Sequence, residues 1–130
     1  MSPPPPAPLS TDLAAFIESA VPSVWALEVL LLLRREDEAK WAVDRLVAEL
    51  RANATLVNDC LSGLQRAGLV LGEDGSYRYA PASPTLAALC EELDQTYRQK
   101  PVAVVNAIAK RRADPLKGFA DSFRFGGWKS

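Results

Sequence analysis

The side chains that most often carry catalysis are scarce in this chain. It contains no histidine, so it can form neither a Ser-His nor a Cys-His nucleophile pair, and imidazole acid–base chemistry is absent. Its two cysteines, Cys60 and Cys90, each lie among apolar positions of a predicted helix. Without histidine they complete an ordinary tetrahedral zinc site only if carboxylates or a second chain contribute. We therefore expect two buried free thiols.

The remaining groups that could do chemistry have ordinary structural interpretations. Glu91, Glu92 and Asp94 cluster on one predicted helix, and adjacent acids of this kind usually form a solvated face. Gly72 and Gly75 suit a hairpin turn better than a phosphate-binding loop. These features predict a protein that is not an enzyme and that uses neither a metal nor a cofactor.

The composition fits one domain with a single core. The chain has 130 residues, of which 48% are hydrophobic, and its formal net charge is -1. The charge is unevenly distributed, since residues 1–97 hold seven Lys or Arg against fourteen Asp or Glu, and residues 98–130 hold eight against two. This split fits either a basic tail that contacts phosphates or a tail and a body that attract each other within a dimer.

No segment has the pattern of a membrane span or of a signal peptide. The apolar run Val29–Leu33 is bounded by Glu28 and Arg34, and it is far shorter than the ~20 residues that cross a bilayer. The N-terminus offers Pro3–Pro6, where a signal peptide would need a basic start and an apolar core. We expect a cytoplasmic protein with no membrane partner, in which residues 1–9 form a disordered, proline-rich tail.

Hydrophobic periodicity and capping residues predict a mainly α-helical fold with one small β-hairpin. Helices are expected from Ser10 or Thr11 to Ala20, Val24 to Arg35, Trp41 to Arg51, about Asn53 to Ala67, and from Pro84 and Pro101 onward. Two strands, Leu69–Leu71 and Ser76–Tyr79, are expected on either side of an Asp-Gly turn.

Each helix carries an apolar stripe at the spacing of a face that packs on a core. The helix from Val24 to Arg35 is apolar nearly all round and needs cover on most sides. The stripes expected on the later helices are Val43, Leu46, Val47 and Leu50; Val57, Cys60, Leu61 and Leu64; Leu86, Leu89, Cys90, Leu93 and Tyr97; and Val102, Val105, Ile108 and Ala109.

The order of helix, short polar turn, helix, glycine and hairpin is that of a winged helix-turn-helix. The segment Ala54–Val70, with leucines at positions 61 and 64 before Gly68-Leu69-Val70, resembles the recognition helix of winged-helix bacterial regulators of the MarR and related families. The resemblance covers Trp41 to Ala80. It implies a winged-helix domain over residues 10–112 with flanking dimerisation helices, followed by a basic and aromatic C-terminal segment, residues 113–130.

The same resemblance implies the residues that would contact DNA. On the second helix of the motif they are Thr55, Asn58, Asp59, Ser62, Gln65 and Arg66, joined by Arg78 from the wing. Asn and Gln can read adenine, and Ser or Thr can contact bases or phosphates. Asp59 departs from the family pattern, in which this position often carries a basic or neutral residue. A carboxylate there would repel phosphate. Lys110, Arg111 and Arg112 form either auxiliary phosphate contacts or a solvated helix end.

Two functions follow from these patterns. The first is a bacterial-type transcriptional regulator that binds double-stranded DNA, as a homodimer, through its winged helix. The second is an adaptor that keeps this shape but holds a protein partner through residues 115–130. The side chains predicted to form a partner or dimer interface are Trp25, Leu30, Leu33, Val102, Val105, Phe119, Phe123 and Trp128.

Overall fold

The computed structural model describes residues 9–36 and 39–113, with side chains as far as Lys110. This part of the chain is mainly helical and contains one small antiparallel sheet. Its helices are Thr11–Ala20 (α1), Val24–Arg35 (α2), Val43–Leu50 (α3), Ala54–Arg66 (α4), Pro84–Gln99 (α5) and Pro101–Ala113 (α6), and its strands are Trp41–Ala42 (β1), Val70–Glu73 (β2) and Ser76–Tyr79 (β3).

Four of the helices begin at polar caps, of which the sequence predicted Ser10, Asn53 and Ser83 but not Ser23. The side chains of Ser10, Ser23, Asn53 and Ser83 each accept a hydrogen bond from the backbone N–H of the third residue that follows, at 2.8–3.1 Å. Each cap satisfies an amide that has no partner within the helix, and such a cap is worth ~1 kcal/mol. The predicted starts of α1, α2, α4 and α5 are thus confirmed.

The three strands form one sheet in the order β1-β3-β2. Trp41 pairs with Tyr77, and Val70 pairs with Tyr79. The β2–β3 turn is Asp74-Gly75, with φ of 53° and 79°, and positive φ at both central residues is the type I′ geometry that suits a two-residue hairpin.

Two predicted boundaries were wrong at the sheet. Trp41 and Ala42 are not the first residues of a helix, because β1 pairs with β3 and α3 begins only at Val43. The strand expected to end at Leu71 runs from Val70 to Glu73, so Gly72 lies within it. A two-residue strand leaves no periodic signal in the sequence, and the strand pairing decides both boundaries.

Helix α2 is the centre of the core. Leu27, Leu30 and Leu33 are fully buried, and α2 packs against α3, α4 and β3. The chain itself therefore covers most of the apolar surface of α2, but Val24 and Trp25 at its start remain exposed. Because Leu30 and Leu33 have no accessible surface, the prediction that they contact a partner is wrong for both. Burying a leucine side chain contributes ~1.5–3 kcal/mol to folding, which explains this preference for internal cover.

Helices α5 and α6 pack against each other and against α1. The stripe predicted on α6 was partly misplaced, because Val104 and Ile108 are buried whereas Val102 is 68% exposed and Ala109 is also exposed. Val102 to Val105 contains apolar residues at every position, so the periodicity there does not define which face packs inward. Val105 is half-buried between the two faces.

The acidic cluster of α5 is also not a uniformly solvated face. Asp94 is only 8% exposed and forms a salt bridge with Arg34 of α2, with 2.5 Å between Oδ2 and Nη1. Glu92 is half-buried and accepts a hydrogen bond from Ser10 Oγ at 2.8 Å. Only Glu91 of the three is exposed. The expectation failed for Asp94 because Arg34 meets it across the α2–α5 contact.

Both cysteines are buried free thiols, as the sequence predicted. In the described residues no single helix is long and apolar enough to cross a membrane. The pair α1 and α2 passes that test of length and composition together, but it is bent by 104° between the two helices.

Candidate nucleic-acid interface

Helix α4 has one buried face and one polar, exposed face. Val57, Cys60, Leu61 and Leu64 point into the core with at most 8% of their surface exposed, as their spacing predicted. The remaining polar side chains are all exposed, and we call them the α4 polar face: Thr55, Asn58, Asp59, Ser62, Gln65 and Arg66. The six residues that the sequence assigned to DNA on this helix therefore share one accessible surface.

The position of this face is fixed at both ends of α4. Helix α3 ends at Leu50, and its C-cap Arg51 has a φ of 55° that turns the chain sharply. Asn53 caps α4 two residues later. At the other end Gly68 has φ of +80°, the left-handed conformation predicted for it. A Cβ at Gly68 would lie 3.3 Å from Cβ of Ala82, so this turn also lies against the chain that leads into α5.

Several side chains of the α4 polar face are available to a ligand. Within the described residues, Thr55, Asn58 and Ser62 make no side-chain hydrogen bond. Hydroxyl and amide groups that are not engaged within the protein can donate to and accept from base edges or phosphates. The arrangement therefore supplies hydrogen-bonding capacity on the exposed side of a helix that is held rigidly on its other side.

The electrostatics of the α4 polar face are mixed. Asp59 puts a carboxylate near its middle, whereas Arg66 lies at its C-terminal end. Burial, followed by the charge of Asp59, raises the pKa of the Cys60 thiol, and the nearby Ser23 hydroxyl lowers it to a smaller extent. Cys60 is consequently a neutral core side chain, and Asp59 is the group whose charge an approaching phosphate would meet.

Arg51 is a candidate contact that the sequence did not single out. It is exposed and lies in the turn between α3 and α4, directly before the helix-capping segment. A cation there is close to the amino-terminal end of α4. The sequence did contain a signal for Arg51, since it is a basic residue in the short turn of a predicted helix-turn-helix. Arg45, by contrast, is engaged, because its guanidinium lies 3.8 Å above the Trp41 ring and 3.9 Å from Glu36.

The wing lies beside the end of α4. The register places Arg78 opposite Leu71, so both lie on the sheet face that faces away from the core side chains Val70 and Trp41. Arg78 is half-buried and Leu71 is 39% exposed. Arg78 is therefore on an outward surface, as predicted, although less exposed than the residues of α4.

Gly72 in strand β2 lies where the wing contacts the α4 polar face. A Cβ at Gly72 would lie 2.6 Å from Cε2 of Tyr77 and 2.8 Å from Oε1 of Gln65. Only a residue without a side chain allows the tyrosine ring and the Gln65 amide to approach strand β2 this closely. Gln65 thus contacts the wing, and the acidic tip next to it includes Glu73, which lies 3.8 Å from Lys40.

The predicted auxiliary cations belong to a different part of the fold. Lys110 is exposed near the end of α6, and α6 packs on α1 and α5 whereas α4 packs on α2, α3 and β2. Arg111 and Arg112 continue α6, but their side chains are outside the described part of the chain, as are Phe119, Phe123 and Trp128. Lys110 is thus on a helix that packs on other elements than those around α4.

A second polar cluster consists of Tyr79, Cys90 and Arg34, and neither its phenol nor its thiol is an ionised nucleophile at neutral pH. Burial raises the pKa of Tyr79 to about 12, with further contributions from the neighbouring Cys90 thiol and opposing ones from Arg34. Burial also raises the pKa of Cys90 itself. A thiol in this environment stays protonated at neutral pH and is inert. Among the described residues, no group of three or more Cys, Asp or Glu is placed to hold a metal ion.

Comparisons with protein-family models, with curated proteins and with solved structures found no match to this chain.

Proposed function

We propose that this protein is a transcriptional regulator that binds double-stranded DNA through a winged helix-turn-helix. In this assignment α3 and α4 are the helix-turn-helix, and α4 is the helix that enters the major groove. The β2–β3 hairpin is the wing, and β1 completes the sheet at its base. The order α2-β1-α3-α4-β2-β3 and the sheet order β1-β3-β2 support the assignment.

The observation that carries the proposal is the α4 polar face. Its amide and hydroxyl side chains, Asn58, Gln65, Thr55 and Ser62, are exposed on a helix whose opposite side is buried. A B-DNA major groove admits one α-helix, and amide side chains can form paired hydrogen bonds with adenine. An exposed helix with these side chains is the element that sequence-specific recognition requires.

The charges of the described residues predict modest affinity. Arg51 in the turn before α4, Arg66 on α4 and Arg78 on the wing are basic, and Asp59 opposes them. Each phosphate contact contributes roughly 0.9 to the slope of log affinity against log salt concentration. With about three contacts per chain, the affinity for DNA should therefore fall only gradually as salt rises. Two copies on neighbouring half-sites would double that number, which makes a homodimer part of the proposal.

The experiment measures binding of the full chain to a pool of random duplexes, followed by selection of the bound sequences. We expect retention of DNA at ~50 mM salt, weakening as salt rises. The double variant N58A/R66A should lose sequence preference and at least about tenfold in affinity, since a good base contact is worth ~1–3 kcal/mol. The matched control N106A/K100A removes an exposed Asn and an exposed cation from α6 and the α5–α6 junction, and it should bind normally.

An adaptor that holds a protein partner is the second candidate. Asp59 on the α4 polar face and the exposed apolar side chains Val24, Trp25 and Val102 favour it. This candidate predicts that N58A/R66A retains its partner and that removing residues 115–130 releases it. Absence of duplex binding at ~50 mM salt, combined with this pattern, would replace the first proposal with the second.

A further inference from the structure

An apolar groove lies between the start of α2 and the outer side of α6. Its walls are mostly hydrophobic, and it encloses about 350 Å³. We call it the α2–α6 groove, and it is lined by Ser23, Val24, Trp25, Val105, Ile108 and Ala109. Trp25 is 40% exposed and Val24 is 37% exposed, so the groove leaves a tryptophan face in contact with water.

The exposed apolar residues of α6 extend this groove along the helix. Val102, Val105 and Ala109 are spaced by three and four residues, which places them on one side of α6. Val102 is 68% exposed. From Val102 to Ala109 this stripe covers about 10 Å of the helix axis at ~1.5 Å per residue.

The chain that follows α6 carries a matching pattern. Leu116, Phe119, Ala120 and Phe123 recur at intervals of three, one and three residues, the spacing of one apolar helical face. From Leu116 to Phe123 this second stripe also covers about 10 Å of helix axis at ~1.5 Å per residue. Asp114-Pro115 directly after α6 is a sequence at which a helix stops, because the residue before proline avoids helical backbone angles.

The position of the groove places this segment within reach of it. Ala109 lines the groove, and the last residue of α6, Ala113, lies one helical turn beyond it. Leu116, the first residue of the stripe, follows three residues later, and three residues reach ~10 Å when extended, which matches the ~8–10 Å between the axes of packed helices. A reversal at Asp114-Pro115 is therefore long enough to bring the apolar stripe back over α6 and beside Trp25.

We propose that residues 116–123 dock in cis into the α2–α6 groove, with Phe119 and Phe123 covering Trp25 and the exposed stripe of α6. This contact is a helix laid into a hydrophobic groove. It removes both apolar surfaces from water at once. It also holds the chain that follows α6 beside that helix. The inference does not depend on DNA binding.

Hydrogen exchange of the full-length chain tests this contact. Amides of residues 116–123 should exchange more slowly than in an unstructured peptide, to an extent that does not change with protein concentration. A109E places a charge in the groove at an exposed position, and it should accelerate exchange of this segment by at least about tenfold. A88E makes the same change at an exposed position of α5 and should leave the segment protected.

Quenching of Trp25 fluorescence provides the reciprocal measurement in a W128F background. Replacing Phe119 and Phe123 with serine should raise quenching by acrylamide, while the buried Trp41 contributes a constant background. Three results would overturn the proposal. They are exchange of residues 116–123 at the rate of a free peptide, protection that A109E does not reduce, and protection that grows with protein concentration. The last would identify a second copy as the occupant.

Discussion

Arg34 and Asp94, which are 60 positions apart in the chain, are joined by a salt bridge with 2.5 Å between Nη1 and Oδ2. The bridge connects the end of the central helix α2 to α5. Its side chains are 24% and 11% exposed, so water screens it only in part. Arg98 Nε adds a second contact to the same carboxylate at 3.1 Å. This relationship fixes the helices that flank the proposed DNA-binding module.

Removing the carboxylate should destabilise the protein. D94A leaves the Arg34 guanidinium without its partner in a partly buried site, and we expect the free energy of unfolding to fall by about 2–3 kcal/mol. Urea unfolding followed by circular dichroism measures the change. E91A removes an exposed acid from the same helix and should change stability by less than ~0.5 kcal/mol. R34M/D94L should regain much of the loss, and a double variant as unstable as D94A would contradict this explanation.

Gly72 should be intolerant of even one methyl group. The added Cβ of G72A would lie 2.6 Å from the Tyr77 ring and 2.8 Å from the Gln65 amide, so both side chains would have to move. We expect a loss of about 1–3 kcal/mol in the free energy of unfolding. In α4, a Cβ at Gly63 meets nothing nearer than 3.9 Å, so G63A should stabilise the protein by ~0.5–1 kcal/mol. Equal effects of the two substitutions would show that packing at Gly72 is not the cause.

The fold should lose stability in alkaline solution between about pH 10 and 12. Burial raises the pKa of Tyr79 from 10.0 to about 12 in the folded protein. The unfolded chain therefore releases this proton first as the pH rises, and the folded state is disfavoured progressively until Tyr79 itself ionises. Below pH 10 both states are protonated, so this contribution is fully present there.

Unfolding by urea at pH 8, 10 and 11 measures this dependence. Y79F removes the ionising group, so it should flatten the fall in stability between pH 10 and 11. Some slope should remain in Y79F, because burial also raises the pKa of Cys60, Cys90 and Tyr97. An unchanged slope in Y79F would show that Tyr79 does not contribute.

Asp59 should limit the affinity for DNA. Because its exposed carboxylate lies on the α4 polar face, D59N should increase affinity for duplex DNA by about three- to tenfold at low salt, with a smaller gain at high salt. E91Q changes the net charge by the same amount on α5. If E91Q raises affinity as much as D59N does, the effect is one of overall charge and does not locate the DNA at α4.

Local signals in the sequence were enough to predict most of the helices and the hairpin. Ser10, Asn53 and Ser83 cap helices because a short side-chain oxygen can accept from a free backbone amide, an interaction decided within four residues. Asp74-Gly75 defines its turn for a similar reason, since both residues tolerate positive φ. The six polar positions of α4 came from the resemblance to winged-helix regulators, and they share one face because four regularly spaced apolar residues turn the opposite face to the core.

Contacts between distant segments account for what the sequence did not predict. Strand β1 has two residues and exists because Trp41 pairs with Tyr77, far along the chain. Asp94 looked like one acid in a solvated cluster because its partner, Arg34, is on another helix. Val102 and Val104 are equally apolar, and only the packing of α6 on α1 and α5 separates the exposed one from the buried one.

The most direct test of the proposed function is a titration of the full-length chain with duplex DNA at ~50 mM salt, followed by amide chemical shifts. A winged helix that binds through α4 predicts the largest shift changes at Thr55, Asn58, Ser62, Gln65 and Arg66, with smaller ones in the wing near Arg78. The exposed surface of α5 should be unaffected. Shift changes confined to α6 and the residues after it, or no changes at this salt concentration, would contradict DNA recognition by α4.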